Sequence, residues 1–191
     1  MGGCFTPDGK AFVYSILAGV GTEFNLAYVR FGADTKPVVL ARAPGTQVEP
    51  AVSPDGRYVA YSSWLTGRSE VEIRPFPSGE GKWQVSSDGG RSPKWGRRGD
   101  ELFYARDNDI MAVEVKTSPT LSLGPPRKLF TREQSGAKVE WFGILMDGFE
   151  TGEDAGRFLM LKNAGSGDPG RGRTIAIVQN WFAEFRGKDP K

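Results

Sequence analysis

Short stretches of alternating or continuous hydrophobic residues make up most of the chain, and turn-forming residues separate them. The period of two in Val71-Glu72-Ile73-Arg74 is typical of a strand with one buried and one solvated face. The β-branched and aromatic stretch Tyr58-Val59-Ala60-Tyr61 predicts a buried strand. Helical periodicity is confined to residues 180–185, where one or two helical turns are expected. We therefore predict an all-β fold.

The strands follow a repeated turn. Residues 5–15 and 52–62 align from an apolar residue, through Pro-Asp-Gly, to Tyr-Ser. In such a turn proline sets φ, aspartate caps the corner and glycine takes a positive φ. Two diverged copies carry Gly99 and Gly156, so the repeat glycines are 47, 43 and 57 residues apart. The predicted turn residues are Pro7, Asp8, Gly9, Pro54, Asp55, Gly56, Gly99 and Gly156.

Each turn opens a unit of several strands. A second strand is predicted at residues 25–31, 70–76, 109–115 and 174–180, and a short outer strand at residues 37–42, 82–86 and 127–131. Counting the residues before each turn as an innermost strand gives four antiparallel strands in a unit. Units of this kind, repeating at this period, are typical of the blades of a β-propeller. We place four blades at residues 1–45, 46–90, 91–137 and 138–187.

The repeated Ser-Pro-Asp-Gly-(Lys/Arg)-x-φ-x-Tyr core resembles the TolB-like, WD-related propeller repeats of bacterial periplasmic proteins. The C-terminal residues 157–161 and 175–185 resemble the last blade and tail of propellers appended to bacterial serine/threonine protein kinases. These resemblances imply a sensory or binding module of a larger bacterial protein, with a periplasmic or extracytoplasmic location.

The predicted array looks open. Propellers close with about 4 to 8 blades, and the TolB-like family generally has more than four. The first unit starts abruptly at Gly3-Cys4-Phe5, and the fourth shows no outermost strand after Asn180. Exposed sheet edges pair with other chains, so we expect either self-association through open edges or the C-terminal part of a larger propeller protein.

Composition narrows the chemistry. The 191 residues include no histidine and one cysteine, which excludes Ser-His-Asp or Cys-His catalysis, histidine-ligated metals and an internal disulfide. The net charge of +2 is interspersed, which favours no nucleic-acid partner. No segment approaches the roughly 20 apolar residues of a membrane span, and we predict no cofactor and no catalytic or metal-binding residues.

Several local features favour structural roles. The repeated aspartates are read as turn chemistry, and Arg98-Gly99-Asp100 as a hairpin turn rather than an adhesion tripeptide. The Gly-rich run 165–173 lacks the ending of a phosphate loop and is interpreted as a hairpin loop. An acidic cluster at Asp147, Glu150, Glu153 and Asp154 matches no calcium-loop spacing. Cys4 is expected to be a small buried hydrophobe.

Tryptophan is the more informative residue type. Trp95 is expected in the core, whereas Trp64, Trp83, Trp141 and Trp181 fall near strand ends or loops. Trp64 is followed closely by Arg68, and an aromatic side chain beside arginine is typical of protein-contact surfaces. Trp64 and Arg68 are therefore the candidate binding surface, although core packing remains an alternative for each tryptophan.

The favoured function is a non-enzymatic segment that binds a protein, peptide or small ligand. The alternative is a propeller fragment of a prolyl-oligopeptidase-type serine peptidase, which would need a Gly-x-Ser-x-Gly elbow and a histidine from another domain. A kinase would need a Gly-rich loop, a strand lysine and a His-Arg-Asp loop, none of which this sequence contains.

Overall fold

The computed structural model describes residues 2–19, 23–65, 67–131, 149–151, 157–162 and 174–179. These ranges contain strands and turns without a helix, as the hydrophobic pattern predicts. The expected helical turns at 180–185 and the turn glycine Gly156 lie outside the described residues. No helix long and apolar enough to cross a membrane occurs in the described part of the chain.

The first two sheets are four-stranded antiparallel units whose strands pair in chain order. The first contains β1 (Gly3–Phe5), β2 (Ala11–Leu17), β3 (Phe24–Arg30) and β4 (Val38–Ala41). The second contains β5 (Thr46–Val52), β6 (Tyr58–Trp64), β7 (Ser69–Pro75) and β8 (Trp83–Gln84).

The third sheet departs from the four-stranded pattern. It contains β9 (Arg91–Trp95), β10 (Glu101–Arg106), β11 (Asp109–Lys116), β12 (Ser122–Leu123) and β13 (Arg127–Thr131). Both β12 and β13 pair with β11, one at each end. The fourth sheet contains β14 (Phe149–Thr151), β15 (Arg157–Lys162) and β16 (Thr174–Gln179).

The turns before β2 and β6 are built alike. The Thr6 hydroxyl donates to Asp8 at 2.6 Å, and the Ser53 hydroxyl donates to Asp55 at the same distance. Gly9 and Gly56 have φ values of 69° and 71°, a conformation that glycine adopts without steric cost. In the third sheet Gly99 has a φ of 74°, and its N–H donates to the Gly96 carbonyl at 2.9 Å. Arg98 stands there in place of the capping aspartate.

The core lies between successive sheets. One cluster joins the first and second sheets, and a larger one joins the second and third. Phe158 of the fourth sheet completes a third cluster with Phe103 and Phe130, whose ring centroids lie 5.3 and 5.2 Å away. Trp95 is buried as expected, whereas Cys4 is only half-buried at the border of the first cluster.

Candidate functional site

Trp64 and Arg68 lie on one groove between the second and third sheets. The groove has a volume of about 360 Å³. It is formed where the β6–β7 loop faces the β8–β9 loop and the β10–β11 turn; its lining includes Trp64, Arg68, Ser69, Asp88, Gly90 and Asp107. Two residues that the sequence singled out as a binding surface are therefore on the same concave surface.

Arg68 ties the two loops together. Its guanidinium donates to the Asp88 carboxylate at 2.9 Å and to the Ser87 carbonyl at 3.4 Å. Its Nε lies 3.4 Å from Glu70 Oε1, and the same oxygen accepts the Gly89 N–H at 3.1 Å. The side chains of Arg68 and Asp88 are 58% and 76% exposed, so this pair can still be reached by a ligand.

Close backbone packing positions Trp64. Trp64 is half-buried and ends β6, where it pairs with Thr46 on one side and Ser69 on the other. A Cβ added to Gly45 would lie 1.8 Å from the Trp64 carbonyl oxygen, and Gly45 has a φ of 82°. Only glycine allows this approach, so the loop before β5 packs directly against the Trp64 backbone and fixes its position.

The floor of the groove is tightly packed as well. A Cβ on Gly90 would lie 2.6 Å from Ser86 Oγ and 3.1 Å from the Tyr104 ring. Burial raises the pKa of Tyr104, so its phenol stays neutral. Ser69 is 6% exposed, and within the described part of the chain its hydroxyl has no hydrogen-bond partner. That hydroxyl is a buried polar group whose pairing would be favourable.

The remaining tryptophans and turns do not add to this groove. Trp83 packs against Tyr58 edge to face at 6.1 Å and borders the core between the second and third sheets. Trp141 and Trp181 lie outside the described residues. Arg98 pairs with Asp100 at 3.1 Å on an exposed hairpin turn. The described residues contain no group of three or more acidic, cysteine or histidine side chains that could hold a metal ion.

Sequence reasoning missed a second polar cluster, on β5 and β9, the first strands of the second and third sheets. Glu49 and Ser92 both have positive φ, of 57° and 53°, and each precedes a proline. The Glu49 carboxylate accepts the Ser92 N–H at 2.8 Å and the Ser62 hydroxyl at 2.6 Å. A signal was available, because Glu49-Pro50 and Ser92-Pro93 stand at the same distance before Gly56 and Gly99.

The arrangement of sheets is similar to that of known β-propeller structures. TolB from Acinetobacter baumannii superposes with a TM-score of 0.62 and 14% identity, over 94% of this chain and 41% of that one. The β-propeller domain of Cps50 (Swd1) from Myceliophteria thermophila gives a TM-score of 0.54 and 10% identity, over 83% of this chain and 47% of that one. The fold is that of a β-propeller.

This propeller chain spans about two fifths of the TolB structure. A puromycin-hydrolyzing peptidase of Mycobacterium tuberculosis matches with a TM-score of 0.57 and 18% identity, over 83% of this chain and 27% of that one. No protein-family model matches the sequence, and no curated protein matches it. At these identities the likeness concerns the propeller fold alone, and the resemblance to kinase-linked propellers stays a prediction.

Proposed function

We propose that this propeller chain is a non-catalytic binding module that holds a protein or peptide segment in the groove of Trp64 and Arg68. The observation that carries the proposal is the position of half-buried Trp64 beside the Arg68–Asp88 ion pair on one concave surface. Tryptophan and arginine are enriched among the residues that dominate binding energy at protein interfaces.

The groove suits an extended peptide better than a small apolar ligand. Its walls carry charges of both signs, on Arg68, Asp88 and Asp107, which can pair with a peptide's polar groups. A peptide supplies complementary groups along its whole length, and a mixed aromatic and polar surface is what such contacts use.

A peptidase role is not favoured. The chain contains no histidine, so a Ser-His-Asp triad would have to come from elsewhere. The peptidase found by comparison is matched over 27% of its own length. We likewise propose an extracytoplasmic location, which rests on the resemblance to TolB-like repeats.

Selection from a library of short random peptides displayed on phage tests the proposal. Titration calorimetry then compares the selected peptides on the wild type, Trp64→Ala and Arg68→Ala. Truncating either side chain should weaken binding by about 1 kcal/mol or more. Arg98→Ala is the matched control, because Arg98 is also an exposed arginine paired with an aspartate but lies on a turn outside the groove. Peptides that bind all three variants as tightly as the wild type would refute the site.

A further inference from the structure

Four positions recur in the first three sheets and define what we call the leading face, the side turned towards the preceding sheet. The first position lies four residues before the turn glycine. The second and third lie three and five residues after it. The fourth donates its backbone N–H to the carbonyl of the residue after that glycine, at 2.9, 2.7 and 2.8 Å. The sets are Phe5, Phe12, Tyr14, Phe31; Val52, Val59, Tyr61, Phe76; and Trp95, Leu102, Tyr104, Val115.

In the second and third sheets the preceding sheet covers this face. Val59 and Tyr61 are fully buried, and Phe76 packs edge to face on Tyr28 at 5.0 Å. The third-sheet set lies in the cluster shared with the second sheet and is at most 8% exposed. In both repeats the leading face is therefore a sheet-to-sheet interface.

In the first sheet the same positions are all aromatic, and within the described residues no further sheet packs against them. Phe5 and Phe31 are 63% and 54% exposed. The rings are continuous, with centroid distances of 4.9 Å from Phe5 to Phe12, 6.1 Å from Phe5 to Phe31 and 5.8 Å from Phe12 to Tyr14. A contiguous exposed apolar patch of this kind marks an interaction surface.

The aromatic face is held in place without a partner. Arg30 and Asp34 bracket the turn after Phe31 through a two-pronged ion pair, with donor–acceptor distances of 3.0 and 2.7 Å. A Cβ added to Gly3 would lie 2.5 Å from the Phe12 ring. The Phe12 ring thus lies directly over β1, and little ordering is left for a partner to impose.

We propose that this face binds a second copy of the chain, packed head to tail. In the covered repeats the occupant is the opposite face of a like sheet, which presents Val13, Leu26 and Leu40 in one case and Ala60, Val71 and Ile73 in the other. A second copy is the source of such a sheet that the chain itself encodes. Head-to-tail contacts close when two copies meet at both ends, which would bring the array towards a full ring.

Sedimentation velocity over a range of concentrations tests this on the full chain. The wild type should dimerise, and Phe5→Ser and Phe31→Ser should each raise the dissociation constant about tenfold or more, because each removes a large buried apolar side chain from the interface. Leu65→Ser is the matched control, since Leu65 is 58% exposed in a loop of the second sheet. Circular dichroism verifies that the variants fold.

The orientation has its own test. In a Cys4→Ser background, Phe31→Cys should give no disulfide-linked dimer under oxidation, because in a head-to-tail pair the two copies of position 31 do not meet. A wild type that stays monomeric at all concentrations would overturn the proposal. A dimer that survives both phenylalanine substitutions would also overturn it and would point to strand-edge pairing. A disulfide between two copies of position 31 would overturn the head-to-tail orientation. None of these outcomes bears on peptide binding at Trp64, which lies between other sheets.

Discussion

The Glu49 carboxylate and Ser92 join β5 of the second sheet to β9 of the third. Glu49 accepts the Ser92 N–H at 2.8 Å and the Ser92 hydroxyl at 3.0 Å, and the Ser62 hydroxyl donates to the same carboxylate. Both residues lie where β5 and β9 deviate from regular pairing with their neighbours. The Ser92 N–H is shared, because it also donates to the Ser62 hydroxyl oxygen at 3.0 Å. The carboxylate thus accepts from one backbone N–H and two hydroxyl groups where the strands are irregular.

Replacing Glu49 with alanine should destabilise the fold. Ser62 and Ser92 are 0% and 4% exposed, and the variant removes the carboxylate to which both hydroxyls donate. A buried donor left unpaired costs about 1–3 kcal/mol. Urea unfolding followed by circular dichroism measures the loss. Glu80→Ala is the control, because the Glu80 side chain is exposed, and that variant should unfold with the wild type. A Glu49→Ala variant whose urea unfolding midpoint equals that of the control would show that the Glu49 carboxylate contributes nothing to stability.

Tyr61 should make the protein sensitive to alkali. Burial, reinforced by the hydrogen bond that its hydroxyl donates to Glu72 at 2.7 Å, raises the pKa of Tyr61 well above its usual value. An unfolded tyrosine ionises near pH 10, so the unfolded state loses protons first, and stability falls as pH rises above about 10. Tyr61→Phe should weaken this dependence in urea unfolding at several alkaline pH values. An equally steep decline in that variant would assign it to other groups.

Asp55 should contribute to the loss of stability in acid. Partial burial acts to raise the pKa of Asp55, but the hydrogen bonds from the Ser53 hydroxyl and the Arg57 N–H outweigh it and hold the pKa below the usual value. The unfolded state therefore binds the proton first, and stability present above about pH 4 is lost as pH falls through the folded-state pKa. Carboxyl carbon NMR measures the titration, and Asp55→Asn should flatten the acid limb of stability. An Asp55 that titrates at the ordinary value would contradict this.

Gly9 and Gly45 form a matched pair for the cost of a side chain. Both have positive φ, but a Cβ at Gly9 meets open space whereas one at Gly45 meets the Trp64 carbonyl. Gly9→Ala should cost about 1–2 kcal/mol, the left-handed penalty alone. Gly45→Ala should cost more and should also weaken peptide binding, because the Trp64 backbone must move. Equal losses in the two variants would mean that the loop relaxes without cost.

The repeat determined the strands with small errors at their ends. The second strand of the first unit, expected at residues 25–31, is Phe24–Arg30, since turns and period-two patterns are local signals. The outer strand expected at residues 82–86 is only Trp83–Gln84, and the third sheet gains β12. These outer strands have weak patterns, because few of their side chains enter a core.

Register in the fourth unit shows where local reading fails. Counted from Gly156, Phe158 aligns with Tyr58, which belongs to the core shared with the following sheet. Phe158 packs instead on Phe103 and Phe130 of the preceding sheet. A shift of one residue turns every side chain to the other face of a strand, and only the sheet packed against it selects the register.

The sequence by itself determined the all-β repeat and the turns at Gly9, Gly56 and Gly99, and it made Trp64 and Arg68 candidates, because these depend on residues close together in the chain. The tertiary structure decided that Trp64 and Arg68 share a groove with Asp88, that Glu49 bonds Ser92, and that Phe5 and Phe31 are exposed where Val52 and Phe76 are covered. Each of these depends on which sheet lies beside another. The period of two shows that one face of a strand is apolar, but it does not show which sheet covers that face. Packing alone therefore separates an interface that is filled from one that is open.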